Sequence, residues 1–132
     1  MNDLIVPLKY AFLVKKWTRA MLIPIYVSLY RQHYDLSASY LMVMMTSINY
    51  WRKPTRGWRR NIDISCVCLS TLYHLYRSRK SSMPLVYYGL TFIGASCYPL
   101  SYYCNSIKKG VYVHIFLHLM AHIANIFLYT TL

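Results

Sequence analysis

Long apolar segments alternate along the chain with short stretches of basic and turn-forming residues. The two longest, 83–104 and 111–132, have about 22 residues each, enough for a helix to cross the roughly 30 Å hydrocarbon core of a bilayer. Segments 36–51 and 62–76 are shorter and need their flanks to do so. No segment shows the alternation of a barrel strand, and only helices or closed barrels span lipid. The pattern therefore predicts an all-α fold.

The N-terminal part of the chain is less regular than the rest. Segment 4–14 contains Pro7 and is too short to span a bilayer, so we expect residues 1–19 either to lie in the membrane interface or to extend the first long helix. Segment 20–34 is the first long one. With the later segments it predicts a polytopic integral membrane helix bundle of four to five transmembrane helices, forming a single domain over residues 1–132.

Composition favours a membrane protein and excludes two other classes. The chain is 57% hydrophobic and only 14% charged, against about 45–50% apolar and about 25% charged residues in an ordinary soluble domain. A soluble domain of this size has too little interior to bury so much apolar surface. Intrinsic disorder is excluded by the same apolar content. We expect an integral membrane location, in an organelle or virion that the sequence does not identify.

The chain is strongly basic, with 15 Lys and Arg against 3 Asp and Glu and a net charge of +12. The bases lie in short clusters between apolar segments. We therefore expect membrane lipids with anionic headgroups, and also other membrane subunits, as partners, and we expect no nucleic acid.

If segment 20–34 is the first span, the basic residues divide unequally between the two sides of the membrane. The larger group is Lys9, Lys15, Lys16, Arg19, Arg52, Lys53, Arg56, Arg59, Arg60, Lys108 and Lys109, and the smaller is Arg31, Arg77, Arg79 and Lys80. The positive-inside rule then puts the N-terminus on the cytosolic or equivalent side and the C-terminus on the other. Trp17, Trp51 and Trp58 fall on the base-rich side, where interfacial anchors belong.

One face of the last segment is polar along its whole length. His114, His118 and His122 recur every four residues, and Asn125 and Tyr129 extend the same stripe. An exposed row of imidazoles in hydrocarbon is costly, so this face should point into the bundle. There the histidines would either bond to hydroxyls and carbonyls of neighbouring helices or hold a metal ion.

Depth along the helices suggests which other polar groups meet this stripe. Counted from the base-rich side at 1.5 Å per residue, Ser47, Asp63, His114 and His118 fall in one leaflet, whereas His74 and His122 lie deeper. Two histidines four residues apart can bind one Zn²⁺, and a third ligand must come from another helix. Asp63 would complete a shallow site with His114 and His118. His74 would complete a deep one with His118 and His122.

The stretch 47–63 carries the most specific local pattern in the chain. Pro54 and Gly57 predict a turn, and we expect a basic loop over residues 52–61. Its bases lie beside two tryptophans at headgroup depth, where they would bind lipid phosphates or anchor the loop on the positive side of the membrane. These bases are Arg52, Lys53, Arg56, Arg59 and Arg60.

The order of these residues resembles the superfamily of membrane hydrolases that contains the alkaline ceramidases and the progestin and adipoQ receptors. The resemblance implies a zinc-bound water that hydrolyses a lipid amide. This chain has Trp51 where the family usually has a third zinc-binding histidine, and it has five spans at most where the family has seven. The basic stretch is also similar to one in small membrane proteins of protists and large DNA viruses. The shared positions are Ser47, Asp63, His118 and either His114 or His122.

Two functions from different classes follow from these patterns. The first is an intramembrane metal-dependent hydrolase acting on a lipid amide or ester. Zinc would bind His118 with His114 or His122, Asp63 would be the general base, and Ser47 would donate to the oxyanion. The second is a non-enzymatic subunit of a larger membrane assembly, such as a respiratory complex or the membrane beneath a viral shell. The metal content of the purified protein distinguishes the two.

Overall fold

The computed structural model describes residues 4–132, which fold into six helices. These are α1 (Leu8–Arg19), α2 (Leu22–Tyr30), α3 (Tyr34–Arg52), α4 (Trp58–Ser78), α5 (Pro84–Tyr102) and α6 (Ile107–Thr131). Apart from one isolated bridge between Leu4 and Thr55, residues 4–132 contain no β-structure. The all-α fold predicted from the sequence is confirmed. Of the helices described, only α6, with 25 residues, is by itself long and apolar enough to cross a membrane.

The helices α1 and α2 form one nearly continuous rod with a break at Ala20 and Met21. Pro24 has no N–H to donate to the Ala20 carbonyl, so the chain tightens there into shorter hydrogen-bonded turns. The Met21 N–H donates to the Thr18 carbonyl at 3.1 Å, and the Ile23 N–H donates to the Ala20 carbonyl at 3.0 Å. Both residues at the break keep right-handed helical dihedral angles. The helix α1 is thus an extension of the first long helix.

The helices turn back on one another, and the segment that begins at Leu4 lies at the opposite end of the bundle from Thr131. The Ile5 N–H donates to the Pro54 carbonyl at 2.9 Å, which ties the N-terminal segment to the loop before α4. At the opposite end the Ser82 N–H donates to the Thr131 carbonyl at 3.0 Å. The described N-terminal segment therefore lies with the loop, away from the C-terminal residues, and the membrane side assigned to each end stays a prediction. We call the first end the basic end, formed by residues 4–7, 53–57 and 103–106.

The α1–α2 rod packs between α3 and α6, while α4 packs on α3 and α5 packs on α6. By contrast, α4 and α5 contact each other little. At Gly110 the backbones of α5 and α6 approach closely, because an added Cβ there would lie 2.6 Å from the Ser101 carbonyl oxygen. Near the basic end the core consists of Ala11, Val14, Tyr50, Trp51, Val111 and Ile115.

The bundle has a polar interior and an apolar surface. On α4, Ile62, Leu69 and Leu72 form an exposed stripe, and on α5 Leu85 and Phe92 are 80% and 74% exposed. A soluble fold buries such side chains and exposes polar ones. The polar side chains buried here include Thr18, Ser28, Ser37, Ser47, Asp63, Ser70, His74, His118, His122 and Asn125.

The basic loop is shorter than the sequence predicts. The helix α4 begins at Trp58, so the non-helical loop covers residues 53–57 rather than 52–61. Gly57 has a φ of 142°, which other residues rarely adopt, and this conformation lets the chain turn directly into α4. The last bases assigned to the loop therefore project from the first turn of a helix.

The predicted position of the bases in α1 is wrong. The sequence suggests that Lys15, Lys16, Trp17 and Arg19 share the basic end, but α1 stands upright along the bundle. The Trp17 carbonyl accepts a hydrogen bond from the deep residue His122 at 3.2 Å. The physical reason is that the apolar face of α1 is buried along α3 and α6, and its charged face is left pointing outward.

Candidate functional site

The polar face of α6 points into the bundle, as the sequence predicts. His118 and His122 are 8% and 7% exposed, and Asn125 and Tyr129 are buried with them. His114, the histidine nearest the basic end, is half-buried. The stripe therefore contacts other helices, and its hydrogen bonds divide it into a deep part and a shallow part.

In the deep part, His122 uses both of its ring nitrogens. Its Nε2 lies 3.2 Å from the Trp17 carbonyl oxygen, which can only accept, so this nitrogen carries the proton. Its Nδ1 therefore accepts from the Tyr40 hydroxyl at 2.9 Å. The neutral imidazole thereby links α6 to both α1 and α3, which is a structural role.

His74 is satisfied in the same way. Its Nδ1 donates to the Ser70 carbonyl at 2.8 Å, and its Nε2 accepts from the Tyr129 hydroxyl at 2.8 Å. The ring of Tyr40 packs against the rings of both His74 and His122, with centroids 6.0 Å and 6.3 Å apart. The deep histidines are therefore each bonded to a tyrosine and leave no nitrogen for a metal ion.

In the shallow part, His118 lacks such partners. Its Nε2 is fully buried and has no hydrogen-bond partner within residues 4–132. Its ring lies edge-on to that of His114 at a centroid distance of 5.2 Å, and the Trp51 ring packs on His114 at 5.0 Å. The resemblance to the hydrolase superfamily would assign a histidine to the position that Trp51 occupies. An indole does not bind zinc, so that place lacks a ligand.

Asp63 lies in the first half of α4 and is 8% exposed. The Ser47 hydroxyl donates to its Oδ1 at 2.5 Å, and the Thr46 hydroxyl donates to the same oxygen at 3.1 Å. Within residues 4–132 the only ion pair joins Asp35 to Arg77 at the opposite end of the bundle. Ser47 and Asp63 thus come together, and no basic side chain pairs with the carboxylate.

A cleft of about 230 Å³ opens at the basic end beside Asp63, whereas Ser47 and His118 do not line it. Arg60, Asp63 and His114 all line it. The guanidinium of Arg60 is positioned by α5, because its Nη2 donates weakly to the hydroxyls of Tyr102 at 3.3 Å and Tyr98 at 3.4 Å. Further aromatic and polar lining comes from Tyr50, Trp51, Ser101, Cys104 and Ser106.

The described residues do not assemble a zinc ligand set. A protein zinc site uses at least three side-chain ligands, and residues 4–132 contain no group of three His, Cys, Asp or Glu side chains that could hold a metal. In the shallow arrangement the third ligand, Asp63, instead accepts from hydroxyls of α3, and the Trp51 ring packs on His114. In the deep arrangement His74 and His122 are already bonded. The unpartnered Nε2 of His118 is the one atom here that a metal would satisfy.

The five bases expected to bind headgroups have different surroundings. Arg59 lies over the Trp58 ring at 5.5 Å, whereas Arg60 turns to the cleft. The exposed members of the set are Arg52, Lys53 and Arg56.

Three tyrosines, Tyr40, Tyr98 and Tyr102, are functional neighbours that the sequence reasoning missed, whereas Tyr129 was expected in the polar stripe of α6. Tyr40 and Tyr129 bond the deep histidines, and Tyr98 and Tyr102 position Arg60. The chain has 15 tyrosines, so composition alone does not select these four. The spacing of Tyr98 and Tyr102, one helical turn apart near the basic end of α5, is the one signal that could have found a pair.

Comparison with known proteins finds no matching family, curated protein or solved structure. The geometry described above is therefore the basis for what we propose.

Proposed function

We propose that the protein is a polytopic integral membrane protein, in which the α1–α2 rod and the helices α3 to α6 each cross the bilayer. The inverted distribution of polarity carries this proposal, since Asp63 and His74 are buried while Leu85 and Phe92 face outward. In lipid this arrangement is favourable, because the exterior needs no hydrogen bonds and most of the buried polar side chains bond to one another or to the backbone. Helices of 19 to 25 residues have rises of about 28–38 Å, which suits the hydrocarbon core.

Within the membrane, the bases of α1 support a role as a subunit of a larger assembly. Lys16 and Arg19 are exposed at about 12 and 16 Å of helix rise from the start of α1. Charges at such depth need a partner. Asp35 already pairs with Arg77 and Asp63 bonds hydroxyls, so these two carboxylates are engaged elsewhere. An acidic side chain on a neighbouring subunit is the counter-charge that fits this face.

The loop at the basic end supplies the second part of this non-enzymatic role. Arg52, Lys53 and Arg56 are exposed beside Trp58, an aromatic residue typical of the membrane interface. Each base near an anionic surface contributes about 1 kcal/mol of attraction. The loop would therefore bind anionic headgroups and fix the depth of the bundle in the bilayer.

Alkaline carbonate extraction tests the membrane location. We expect the protein to stay with the membrane pellet, because its apolar surface is covered by lipid. Release into the supernatant, together with a marker for peripheral proteins, would contradict the proposal.

Native electrophoresis in a mild detergent tests the subunit role. We expect a species larger than the 15.7 kDa chain with its micelle. A variant with Lys16→Gln and Arg19→Gln should lose the larger species, because the charges that bind the partner are gone. The matched control, Lys108→Gln with Lys109→Gln, removes two exposed bases near the basic end and should keep it. A wild-type protein that migrates as a monomer argues against an assembly.

A second candidate function is the intramembrane hydrolase of a lipid amide or ester. Its support is the cleft, where Asp63 and His114 share one surface and Ser47 bonds to Asp63. There Asp63 would act as general base, and Ser47 would donate to the oxyanion. Turnover of a lipid amide and a lipid ester by purified protein, measured together with its zinc content, tests this function.

The hydrolase hypothesis predicts a distinct pattern among the histidine variants. His118→Ala should abolish any activity and bound metal together, whereas His122→Ala should spare both, because His122 is bonded to Tyr40 and Trp17. Less than about a tenth of an equivalent of zinc after chelator-free purification, with no turnover, would contradict the hydrolase hypothesis and leave the histidines and Asp63 with structural roles.

A further inference from the structure

Two opposite charges line the cleft at the basic end, and the protein neutralises neither of them. Arg60 and Asp63 lie three residues apart on α4, a spacing at which such side chains commonly pair. They do not pair with each other, since the one ion pair within residues 4–132 is that of Asp35 with Arg77. Arg60 is held by hydroxyls of α5, and Asp63 by hydroxyls of α3. The cleft therefore offers a ligand one cationic and one anionic contact, held apart.

Aromatic side chains form much of the remaining wall of the cleft. The rings of Tyr50 and Trp51 lie 5.0 Å apart, and those of Tyr98 and Tyr102 lie 5.4 Å apart. Aromatic faces, those of tryptophan and tyrosine above all, attract ammonium groups. Aromatic faces beside a carboxylate are the chemistry that binds an ammonium or trimethylammonium group. A guanidinium beside phenol hydroxyls is the chemistry that binds a phosphate.

We propose that this cleft binds the zwitterionic headgroup of a phospholipid, with its phosphate on Arg60 and its ammonium group at Asp63. A headgroup with both charges neutralises both side chains. An anionic phospholipid without an ammonium group would leave the Asp63 carboxylate unpaired and facing a negative ligand. This inference rests on the membrane location proposed above, which supplies the phospholipid.

The size and position of the cleft suit a headgroup rather than a whole lipid. Its volume of about 230 Å³ is below the roughly 300–1,000 Å³ of sites for drug-sized ligands. Because α4 and α5 contact each other little, the acyl chains of a bound lipid can remain in the bilayer beside them. The bound molecule would then keep its apolar part in lipid and bury only its polar part.

Two short-chain phospholipids with identical acyl chains test the proposal. Dihexanoyl phosphatidylcholine and dihexanoyl phosphatidylglycerol are added, below their micellar concentrations, to the protein in a non-ionic detergent. Binding is followed by the fluorescence of Trp51, which lines the cleft, after Trp17 and Trp58 have been replaced by Phe. We expect the phosphatidylcholine to bind at least about tenfold more tightly. Equal or tighter binding of the phosphatidylglycerol overturns the proposal, whatever the variants do.

Variants then test which part of the headgroup contacts Arg60 and which contacts Asp63. Asp63→Asn keeps an acceptor for the α3 hydroxyls and should abolish the preference for phosphatidylcholine. Arg60→Gln should weaken binding of both lipids about tenfold, since both carry a phosphate. The control Lys108→Gln removes one positive charge from the exposed surface of α6 near the basic end, outside the cleft, and should leave both affinities within about twofold. A preference that survives in a folded Asp63→Asn protein overturns the assignment.

The failure of this inference is distinguishable from failure of the proposed function. Release by carbonate rejects the membrane location itself. A protein that stays in the membrane but shows no preference between the two lipids rejects the zwitterionic site alone.

Discussion

A buried imidazole is stable in this bundle when both of its nitrogens are hydrogen-bonded. His74 meets that condition through Ser70 and Tyr129, whereas His118 has an enclosed Nε2 with no partner among the described residues. A buried polar atom without a partner costs about 1–3 kcal/mol. Replacing these two histidines by a residue of similar size should therefore have different effects.

We expect His74→Phe to lower the free energy of unfolding by about 1–3 kcal/mol, because it leaves the buried Tyr129 hydroxyl without its acceptor. His118→Phe removes an atom that is already unpartnered, so it should be neutral or stabilising. Apparent melting temperatures in one detergent compare the two. A His118→Phe protein less stable than His74→Phe would show that His118 has a partner, such as a bound metal.

The hydrogen bond from Ser47 to Asp63 should matter for stability whether or not the cleft is catalytic. Ser47→Ala leaves the buried carboxylate with only the longer bond from Thr46, and we expect a loss of about 1–3 kcal/mol. Ser96→Ala is the control, because the Ser96 hydroxyl is exposed and donates only to the Phe92 carbonyl of its own helix. Thermal unfolding compares the two serine variants. Equal melting temperatures would rule out a stabilising role for the hydrogen bond from Ser47 to Asp63.

At the level of the helices, the packing of α5 on α6 depends on a close approach of their backbones near the cleft. Gly110→Ala would put a Cβ 2.6 Å from the Ser101 carbonyl oxygen, so the helices must separate there. We expect a loss of about 1–3 kcal/mol, as for overpacked cores. At Gly89, on the same helix pair, no atom lies within 4 Å of an added Cβ. Gly89→Ala should therefore raise the free energy of unfolding by about 0.5–1 kcal/mol through helix propensity. If both variants changed the free energy of unfolding in the same direction, this packing would be refuted.

The sequence predicts some of the helices better than others. Four long apolar segments are separated by basic clusters, and each contains most of one helix, α3 to α6. Segment 4–14 was ambiguous, because eleven apolar and mixed residues suit an interfacial helix as well as half of a longer one. Only packing decides between these, and here the buried face of α1 fits between α3 and α6.

For the whole molecule, the two ends of the bundle should face opposite sides of the membrane. A cysteine at Thr55 lies at the end that holds the N-terminal segment, and a cysteine at Ser82 lies beside Thr131, the residue before the C-terminal Leu132. The native Cys66, Cys68, Cys97 and Cys104 form no disulfide within the described residues and are replaced first. An impermeant maleimide should label Thr55→Cys only from the cytosolic or equivalent side and Ser82→Cys only from the other. Labelling of both from one side would contradict this topology.

The site was predictable in its members but not in its contacts. Depth counting put Ser47, Asp63, His114 and His118 in one leaflet. The first three lie at the same end of the bundle, whereas His118 is enclosed and does not line the cleft. Depth does not give the rotation of each helix. The partners of His122 could therefore not be predicted, because one of them is the backbone carbonyl of Trp17, at the break in the α1–α2 rod, which also accepts from the Ala20 N–H. The turn of Arg60 into the cleft depends in the same way on tyrosines of another helix.

The loose contact between α4 and α5 has a thermodynamic consequence if the cleft between the helices takes a headgroup from the surrounding bilayer. The lipid that binds the cleft is then also the solvent of the protein. The occupancy of the cleft therefore follows the mole fraction of that lipid in the bilayer rather than its aqueous concentration. A ligand that binds only the folded state adds to the free energy of unfolding in proportion to the logarithm of its concentration over its dissociation constant. The stability of this chain would thus report the composition of its own membrane, and it would fall on transfer to a detergent that lacks the lipid.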